Sequence, residues 1–406
     1  MSHLYDQSPL GKGFTLDLFG RLKVSHPYTL FDSNHRYSQD GDFSDIVVGT
    51  GSTVGMITAQ STATLSIGTT AGCSLIRESK RVFSYQPGKA LQTFQTFVLN
   101  PAKPNLVQRV GYASSENGIM LELDGSQVNI IKRTSITGVT TSVVVPQSDW
   151  NQDPLDGTGV SGIDLDFTKA QLMFTEYEWL GVGCVRVGFV NENGVFHIAH
   201  IFNHANTLDT TYITTASLPV RYEIFNTGIT TSSSTMKQIC VSVQSNGGYE
   251  HKKAFDVVRN TTAVTVSITS FVPLLSIRLT PGREDAIIIP SEYNVLPDSN
   301  TASTFEVALI KNATLTGASF ISTSTSSPNA QVDFSATALI GGTIVKNDYL
   351  TSANKATAPL NVFTEYNWDL QLGRTQAKVS DIYTLAIRAV SGSGTALGSL
   401  SFYDLT

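Results

Sequence analysis

Apolar and polar residues alternate in short runs along most of the chain, and turn-forming residues separate the runs. The segment GIMLELDGSQVNIIKR places Ile119, Leu121 and Leu123 at alternate positions. Asp124-Gly125 then provides a tight turn, and Val128 and Ile130 begin the return run. Because a period of two is typical of strands with one buried face, this segment predicts a β-hairpin.

A second segment, CVRVGFVNENGVFHIAHIF, has the same organisation. Two runs rich in β-branched and aromatic residues flank Asn193-Gly194, a dipeptide that strongly favours hairpin turns. One helical turn is predicted in the stretch LDFTKAQ, residues 165 to 171.

Strand-like runs recur about every ten residues over the rest of the sequence, which is typical of sandwiches and jelly rolls. The predicted fold class is therefore all-β, with β-sandwich or jelly-roll-like domains. The turn SNGG and the charged HKK that follows it interrupt the strand pattern near residue 250. We predict one domain over 41–255 and a second over 262–406.

Residues 1–40 predict an extended N-terminal arm, because Gly11, Gly13, Gly20 and Pro27 interrupt any regular element. Its apolar anchors are too scattered to be buried by the arm itself, so we expect a neighbouring subunit to supply a groove for them. This expectation makes the protein a homo-oligomer. The predicted assembly residues of the arm are Leu16, Leu18, Phe19, Arg21, Leu22, Tyr28, Leu30 and Phe31.

The composition of the chain narrows the classes of binding partner to be expected. Of 406 residues, 41% are hydrophobic and only 15% are charged, where about 25% is usual. A net charge of −6 without clustered Lys and Arg argues against nucleic acid. No apolar run approaches the ~18 residues of a membrane span, and the start of the chain lacks the pattern of a secretory signal. We expect synthesis in a cytoplasm and no membrane partner.

Candidate metal ligands are sparse, and no cofactor is expected. Cys73, Cys184 and Cys240 lack the spacing of a zinc site or a disulfide framework. His197 and His200 lie three apart on a predicted strand, which places them on opposite faces and disfavours a shared metal. They are instead predicted as interface residues, together with Arg186, which strand alternation places on the face opposite Val185 and Val187.

The long loop after Trp150 contains the remaining candidates. Asp153, Asp156 and Asp164 form a weak candidate cation site, and the alternative is that these carboxylates cap the loop itself. Nucleophile motifs such as GxSxG and SxxK, and glycine-rich phosphate loops, are absent from a usable context. The expectation is a protein that is not an enzyme.

Two blocks of the sequence carry a family resemblance. Residues 16–37 read LDLFGRLKVSHPYTLFDSNHRY, and the block from Trp150 reads WNQDPLDGTGVSGIDLDFTKAQLMFTEYEWLGVGCVRVGFVNENG. In order and spacing they resemble a family of virion structural proteins of tailed bacteriophages. The resemblance implies a protein that assembles with itself and other virion proteins in the tail, neck, baseplate or capsid decoration, after synthesis in the host bacterium.

Two alternatives stay open at this point. A receptor- or glycan-binding tail fibre protein would expose clustered Tyr and Trp in the C-terminal half of the chain. A virion-associated glycan hydrolase would need two carboxylates roughly 5–10 Å apart in a cleft.

Overall fold

The computed structural model describes residues 26–179, 183–249, 255–266, 268, 270–299, 301–323, 328–352, 360–361 and 368–406. Contacts between residues divide the chain into two compact units, Met1–Glu250 and His251–Thr406. Strands and loops account for nearly all the described residues. The predicted all-β fold class is confirmed.

Unit 1 is built from two large antiparallel sheets. Its strands are β1 (Tyr28–Asn34), β2 (Phe43–Val48), β3 (Thr53–Ile57), β4 (Thr62–Ile67), β5 (Ser74–Ser79), β6 (Leu91–Val98), β7 (Leu106–Ala113), β8 (Gly118–Asp124), β9 (Gln127–Thr134), β10 (Thr141–Pro146), β11 (Gln171–Tyr177), β12 (Cys184–Val190), β13 (Phe196–Asn203), β14 (Val220–Asn226) and β15 (Ser234–Ser245). Sheet I has the order β13-β12-β11-β6-β15-β4-β3, and β1 also pairs with β15. Sheet II has the order β10-β9-β8-β7-β14-β5-β2.

The two sheets pack face to face around a core rich in aromatic rings. Tyr112 of sheet II and Tyr177 of sheet I have ring centroids 5.2 Å apart, and both side chains are buried. On β8 and β9, the alternate residues Ile119, Leu121 and Ile130 point into this core. Alternation in the sequence therefore becomes one buried and one outward face on each strand.

Both predicted hairpins are confirmed. β8 pairs with β9 across the turn at Asp124-Gly125, where Gly125 has φ of 56°. β12 pairs with β13 across Asn193-Gly194, where Gly194 has φ of 74°. Glycine adopts a positive φ at little cost, which is why these dipeptides locate the turns in the sequence.

The helical turn predicted in LDFTKAQ is wrong. The Asp166 carbonyl accepts a hydrogen bond from Lys169 N at 3.0 Å, so the segment makes a single tight turn. The Asp166 carboxylate accepts further bonds from the Thr168 amide at 2.9 Å and from its hydroxyl at 2.5 Å. A short acidic side chain that binds the backbone two residues ahead favours a turn over a helix.

Part of the predicted arm belongs to the subunit's own fold. Tyr28, Leu30 and Phe31 lie in β1, which pairs with β15, and Leu30 and Phe31 are buried in unit 1. The pairing bulges at Leu30, so two consecutive apolar residues become buried. β4 pairs with only the first part of that edge of β15, and β1 pairs with the backbone groups that remain. The other arm residues, Leu16, Leu18, Phe19, Arg21 and Leu22, lie outside the described residues.

Unit 2 is also made of antiparallel strands. They are β16 (Phe255–Arg259), β17 (Val264–Val266), β18 (Val272–Leu279), β19 (Ile288–Asp298), β20 (Thr304–Lys311), β21 (Thr314–Thr316), β22 (Ile321–Ser322), β23 (Ala330–Asp333), β24 (Ala338–Ile340), β25 (Thr343–Thr351), β26 (Leu360–Asn361), β27 (Ile382–Ser391) and β28 (Gly394–Asp404). Sheet III has the order β16-β28-β19-β26 with β17 also on β28, and sheet IV has the order β22-β23-β18-β27-β20-β25. β21 and β24 form a separate pair. Unit 2 includes β16, which precedes the predicted start at residue 262.

The core of unit 2 lies between sheets III and IV. Tyr293 and Leu400 of sheet III meet Ile277 and Leu385 of sheet IV in one buried cluster. Gly398 brings the sheets close, because a Cβ atom at this position would lie 2.9 Å from the Leu274 side chain. The absence of a side chain at residue 398 therefore permits this packing.

The helices of the described residues are three short 3₁₀ turns, Thr58–Gln60, Gln147–Asp149 and Trp368–Leu370. None of these is long and apolar enough to cross a membrane.

Candidate functional site

The histidines on β13 do not alternate as the sequence predicted. His197 pairs with Phe189 and His200 pairs with Val187, so a bulge at Ala199 brings both histidines to the face that looks into the sandwich. The argument that they lie on opposite faces is therefore wrong. Even so, no group of three His, Cys, Asp or Glu residues suited to a metal occurs among the described residues.

His200 is also not an exposed interface residue. It is buried, its Nδ1 accepts a hydrogen bond from the Asn151 backbone at 3.3 Å, and its ring meets Phe202 edge-on at 4.5 Å. His197 is half-buried and lies 3.2 Å from the Asn191 amide. These contacts order the loops at this end of the sandwich.

Arg186 does face away from the core of unit 1, as predicted, but it is not available to a partner. The residue is 2% exposed, and its Nη1 lies 3.2 Å from Glu176 Oε2 on the neighbouring strand. The Glu176 carboxylate also accepts a bond from the Asn246 amide at 2.7 Å. The sequence pattern gave the correct face of the strand, but it contained no sign that this face is covered at that position.

Two of the three candidate cation ligands, Asp153 and Asp156, bind their own loop through their carboxylates. Asp153 accepts bonds from the backbone of Leu155 at 3.0 Å and Ser161 at 2.8 Å. Asp156 accepts from the Thr158 hydroxyl at 2.6 Å, and this bond is the main cause that lowers the pKa of Asp156. Asp164 faces Asp156 through a backbone bridge. This arrangement matches the alternative of a capped loop.

Sheet II carries a charged network on its outward face. Arg109 lies between two carboxylates, with Nε 2.7 Å from Glu122 Oε2 and Nη1 2.9 Å from Glu223 Oε2. Glu223 Oε1 in turn accepts from Arg221 Nε at 2.5 Å and from Arg133 Nη1 at 3.4 Å. The network crosses four adjacent strands, β9, β8, β7 and β14, and so ties the middle of the sheet together.

Glu223 is the centre of this network. Burial raises its pKa, but the guanidinium groups of Arg221, Arg133 and Arg109 outweigh burial and lower the pKa to about 2. A general acid for glycan hydrolysis needs a raised pKa instead. Glu223 therefore stays ionised, which suits a structural cross-link between strands.

Sequence inspection missed this network because its members are far apart in the chain. Arg109 and Glu223 are separated by more than a hundred residues and meet only because β7 pairs with β14. The local sign was the occurrence of single charges inside otherwise apolar strand patterns, as in VRYEIF for β14.

The two edges of sheet II are the most exposed apolar strands of unit 1. On β10, Val143 and Val144 are 49% and 52% exposed, and on β2 the consecutive residues Ile46, Val47 and Val48 are exposed as well. Because consecutive residues point to opposite faces, both strands extend beyond the cover of sheet I. Within the described residues, β10 pairs only with β9 and β2 pairs only with β5.

These edges lack the usual protection against further pairing. Proteins commonly block an edge strand with lysines, a proline or a β-bulge. The pairings of β2 and β10 show no register shift, β10 is TSVVVP with its proline at the last position, and the single charge of β2, Asp45, forms an ion pair with Arg77.

The edge of sheet IV offers a contrast within the same chain. β25 carries Lys346 and Asp348, and its pairing with β20 is shifted by a bulge at Val345. It therefore has the protection that sheet II lacks, although Ile344 is 48% exposed.

The cluster of exposed aromatic residues expected of a glycan-binding tail fibre protein does not occur in the part of unit 2 that is described. The exposed large aromatic residues of unit 2 are Phe334 and Tyr349, among residues that the structure places. Phe334 follows β23 and Tyr349 lies on β25, with three strands of sheet IV between them. They do not form a cluster.

No protein-family model matches this chain, and no curated protein matches it. Several solved structures are similar over about half of its length. The Emp47p carbohydrate recognition domain matches at 8% identity and TM-score 0.34, covering 55% of this chain and 98% of that one. The Bacteroides ovatus mixed linkage glucan PUL GH16 matches at 9% identity and TM-score 0.35, covering 53% and 99%.

A third similar structure is the CBM2 module of the evolved Dit of Lactobacillus casei BL23 phage J-1. It matches at 8% identity and TM-score 0.33, covering 55% of this chain and 98% of that module. These neighbours include carbohydrate-recognition and glycan-related domains. At such TM-scores the backbones correspond only in part, so the similarity does not indicate what this chain binds.

Proposed function

We propose that this protein is a structural component of a tailed-bacteriophage virion and assembles through the edges of sheet II. The observation that carries the assembly proposal is the pair of unprotected apolar edges, β2 and β10. The virion setting rests on the resemblance of residues 16–37 and the block from Trp150 to phage structural proteins. No catalytic step is part of the proposal.

Edge pairing suits a structural role for a physical reason. A free edge presents a row of backbone N–H and C=O groups that a strand of another subunit completes. The exposed valines of β10 and the exposed apolar residues of β2 add burial of apolar surface on both faces of the joint sheet. The network around Glu223 holds the strands between the two edges in a fixed relation.

The position of the edges restricts the symmetry of an assembly. β2 and β10 lie at opposite ends of sheet II, roughly 29 Å apart for seven strands at ~4.8 Å spacing. A contact of β2 with β10 of the next subunit repeats around a ring or along a filament, whereas β10 with β10 closes a two-fold dimer. Both ends carry exposed apolar residues, and only the repeating contact of β2 with β10 covers both of them, so it is the contact we favour.

The assembly proposal is tested by placing lysine on an edge. Val143→Lys/Val144→Lys leaves unit 1 folded, because both side chains are about half exposed, but adds charge where a neighbour would dock. Sedimentation velocity and native mass spectrometry of the full chain should show oligomers for the unaltered protein and monomers for Val143→Lys/Val144→Lys.

Ile344→Lys on β25 is the matched control, because its exposure is similar but its edge is already protected. This variant should assemble as the unaltered protein does. Assembly through sheet II is contradicted if the unaltered protein is a monomer at tens of micromolar. It is also contradicted if the unaltered protein, Val143→Lys/Val144→Lys and Ile344→Lys all assemble equally.

The virion setting needs a separate test. Mass spectrometry of purified particles from a phage that encodes this protein should detect it at a stoichiometry that fits a ring or a symmetric array. Electron microscopy with a fused tag should then locate it on the outside of the particle. Its absence from complete particles contradicts the virion proposal and leaves the assembly result unaffected.

A further inference from the structure

A groove runs along the outward face of sheet III in unit 2. One cavity of about 460 Å³ is lined by residues of β16, β19 and β28 and by the connection after β16. A second cavity of about 250 Å³ adjoins it, and both are lined by Leu296 and Leu397. Sites for small ligands usually measure roughly 300–1,000 Å³.

Three polar side chains lie in one straight row across the first cavity. Arg259 of β16 pairs with Ser399 of β28, and Ser399 pairs with Asn294 of β19. Directly opposed residues on neighbouring strands share a face, so a guanidinium, a hydroxyl and an amide stand side by side over roughly 10 Å. Arg259 and Asn294 are exposed and Ser399 is half-buried.

The Arg259 guanidinium is available to a ligand. It makes no ion pair or hydrogen bond with any residue that the structure describes, although the chain forms such pairs at most of its other arginines. The carboxylates on the same face, Glu292 and Asp298, lie on β19, two strands away from β16. The Arg259 end of the row therefore attracts an anion, and the β19 side does not.

A pair of apolar side chains lies next to the polar row along the groove. Leu296 pairs with Leu397 two residues further along the strands, and Leu296 is 41% exposed. Beyond the leucines, Asp298 and Thr395 form the next row. In order along the groove a ligand meets a cationic polar row, two aliphatic side chains, and then a carboxylate with a hydroxyl.

The kind of hydrogen-bonding groups selects the kind of ligand. β28, which forms the floor of the groove, is paired with β19 on one side and with β16 and β17 on the other, so its backbone groups are occupied. All groups that remain are side-chain guanidinium, amide, hydroxyl and carboxylate groups. Such groups suit a ligand rich in hydroxyls, and the two leucines suit the apolar face of a sugar ring.

We propose that this groove binds an oligosaccharide that carries one carboxylate at its end. The carboxylate lies on Arg259, whose planar fork matches it with two parallel hydrogen bonds. Asn294 and Ser399 bind hydroxyls of the same sugar. The neutral sugars that follow the acidic one lie over Leu296 and Leu397 and extend towards Asp298. The Asp298 carboxylate accepts hydrogen bonds from their hydroxyls and repels a second acid group. The site is independent of the assembly edges of sheet II.

Isothermal titration calorimetry of the full chain with three probes tests this proposal. 3′-Sialyllactose has a single terminal carboxylate and should bind most tightly. Lactose lacks the acid, and trigalacturonic acid carries one on every residue and would place an acid near Asp298. Lactose should bind at least about tenfold more weakly, since a hydrogen-bonded charge pair is worth more than a factor of ten. Trigalacturonic acid should bind more weakly than 3′-sialyllactose because its further acid groups meet the carboxylate of Asp298.

Arg259→Ala should reduce the affinity for 3′-sialyllactose by about tenfold or more, and Arg259→Lys should restore only part of it because lysine lacks the fork. Arg283→Ala is the matched control, since Arg283 is exposed on another turn of unit 2 and donates to Asn329. Equal melting temperatures of the three variants show that folding is intact.

Several results overturn the proposal. One is no heat of binding with 3′-sialyllactose at 10 mM probe, and another is unchanged affinity in Arg259→Ala. Tighter binding of trigalacturonic acid contradicts the single-acid ligand. The monomeric sheet II variant should still bind, so failure of this site and failure of assembly are read separately.

Discussion

The guanidinium of Arg77 holds both carboxylate oxygens of Asp45, with Nη1 at 2.9 and 2.7 Å from them. Arg77 is 1% exposed, and its Nε donates to Gln238 of sheet I at 2.7 Å. Asp45 belongs to the edge strand β2, so one buried arginine links an open edge of sheet II to the opposite sheet.

Asp45→Ala should therefore destabilise unit 1 strongly. The change leaves Arg77 buried without its counter-charge, and breaking such a pair costs roughly 3–5 kcal/mol. We expect the lower end, about 3 kcal/mol, because Asp45 is partly open to solvent. Urea unfolding followed by circular dichroism measures it. Asp209→Asn, an exposed loop change, should stay within about 0.5 kcal/mol, and an equally small effect of Asp45→Ala would show that Arg77 needs no partner.

The Glu223 network predicts a loss of stability in strong acid. The pKa of Glu223 is about 2 in the folded state and 4.5 as its ordinary value. A lowered carboxyl pKa stabilises the fold above pH 4.5, and this contribution is lost as the pH falls from 4.5 through 2. Thermal melts across that range should show a steeper decline for the unaltered protein than for Glu223→Gln, which starts lower at pH 7. Parallel curves would show that Glu223 does not titrate in this way.

A second group titrates at milder pH. The His204 ring stacks on Tyr212 with centroids 4.0 Å apart, and its Nε2 lies 3.1 Å from Lys132 Nζ. Burial, and then the Lys132 charge, lower the pKa of His204 to about 4. In the unfolded chain His204 is protonated below about pH 6.5, whereas in the folded chain it stays neutral down to about pH 4. The free energy of unfolding should therefore fall as the pH drops from 6.5 to 4.

Lys132→Met isolates the charge effect on His204. Removal of the neighbouring cation should raise the pKa of His204, whereas Lys237→Met on sheet I should leave it unchanged. Imidazole chemical shifts in a pH titration by NMR report the pKa directly. A pKa of His204 that does not move in Lys132→Met would mean that burial alone accounts for it.

The two units should fold separately. A fragment 251–406 keeps β16, whose residues pair with β28 and bury Val258, and it should give a cooperative thermal transition. A fragment 262–406 lacks β16 and should be less stable by a few kcal/mol, the cost of losing a buried Val and five paired residues. If neither fragment folds at low concentration, the units depend on each other.

Truncation separates the two parts of the predicted arm. Deletion of residues 1–36 removes β1 with Leu30 and Phe31, and should lower the Tm by about 10 °C, since each kcal/mol lost corresponds to roughly 2–4 °C. Deletion of residues 1–25 should leave the Tm unchanged and prevent incorporation into particles. A large Tm loss in the shorter deletion would place the whole arm in the subunit's own core.

Local patterns predicted the local features of the fold. The hairpins at Asp124-Gly125 and Asn193-Gly194 were found because their turns need glycine at positive φ and their strands need alternation. Bulges escaped prediction. The extra residue at Ala199 reverses which histidines share a face, and no sequence sign distinguishes it from its neighbours.

Features that depend on the pairing of strands far apart in the chain could not be predicted from the sequence. Arg186 was assigned to the correct face, but its partner Glu176 and its burial follow from the pairing of β11 with β12. The row of Arg259, Ser399 and Asn294 needs the register of three strands that are far apart in the chain. A single charged residue in an apolar strand indicates that such a contact exists, but the sequence does not show which residue is its partner.

The place of β15 in sheet I has a consequence for synthesis of the protein. This strand lies between β6 and β4 and also pairs with β1, yet it is the last strand of unit 1 to be made. β14 likewise lies between β7 and β5. During synthesis neither sheet can therefore be completed until nearly 250 residues have emerged from the ribosome, because each lacks a central strand until then. Nascent chains of this protein need shielding from one another during that interval, and a pause placed far enough after residue 250 for β15 to have left the ribosome would aid the yield of folded subunits.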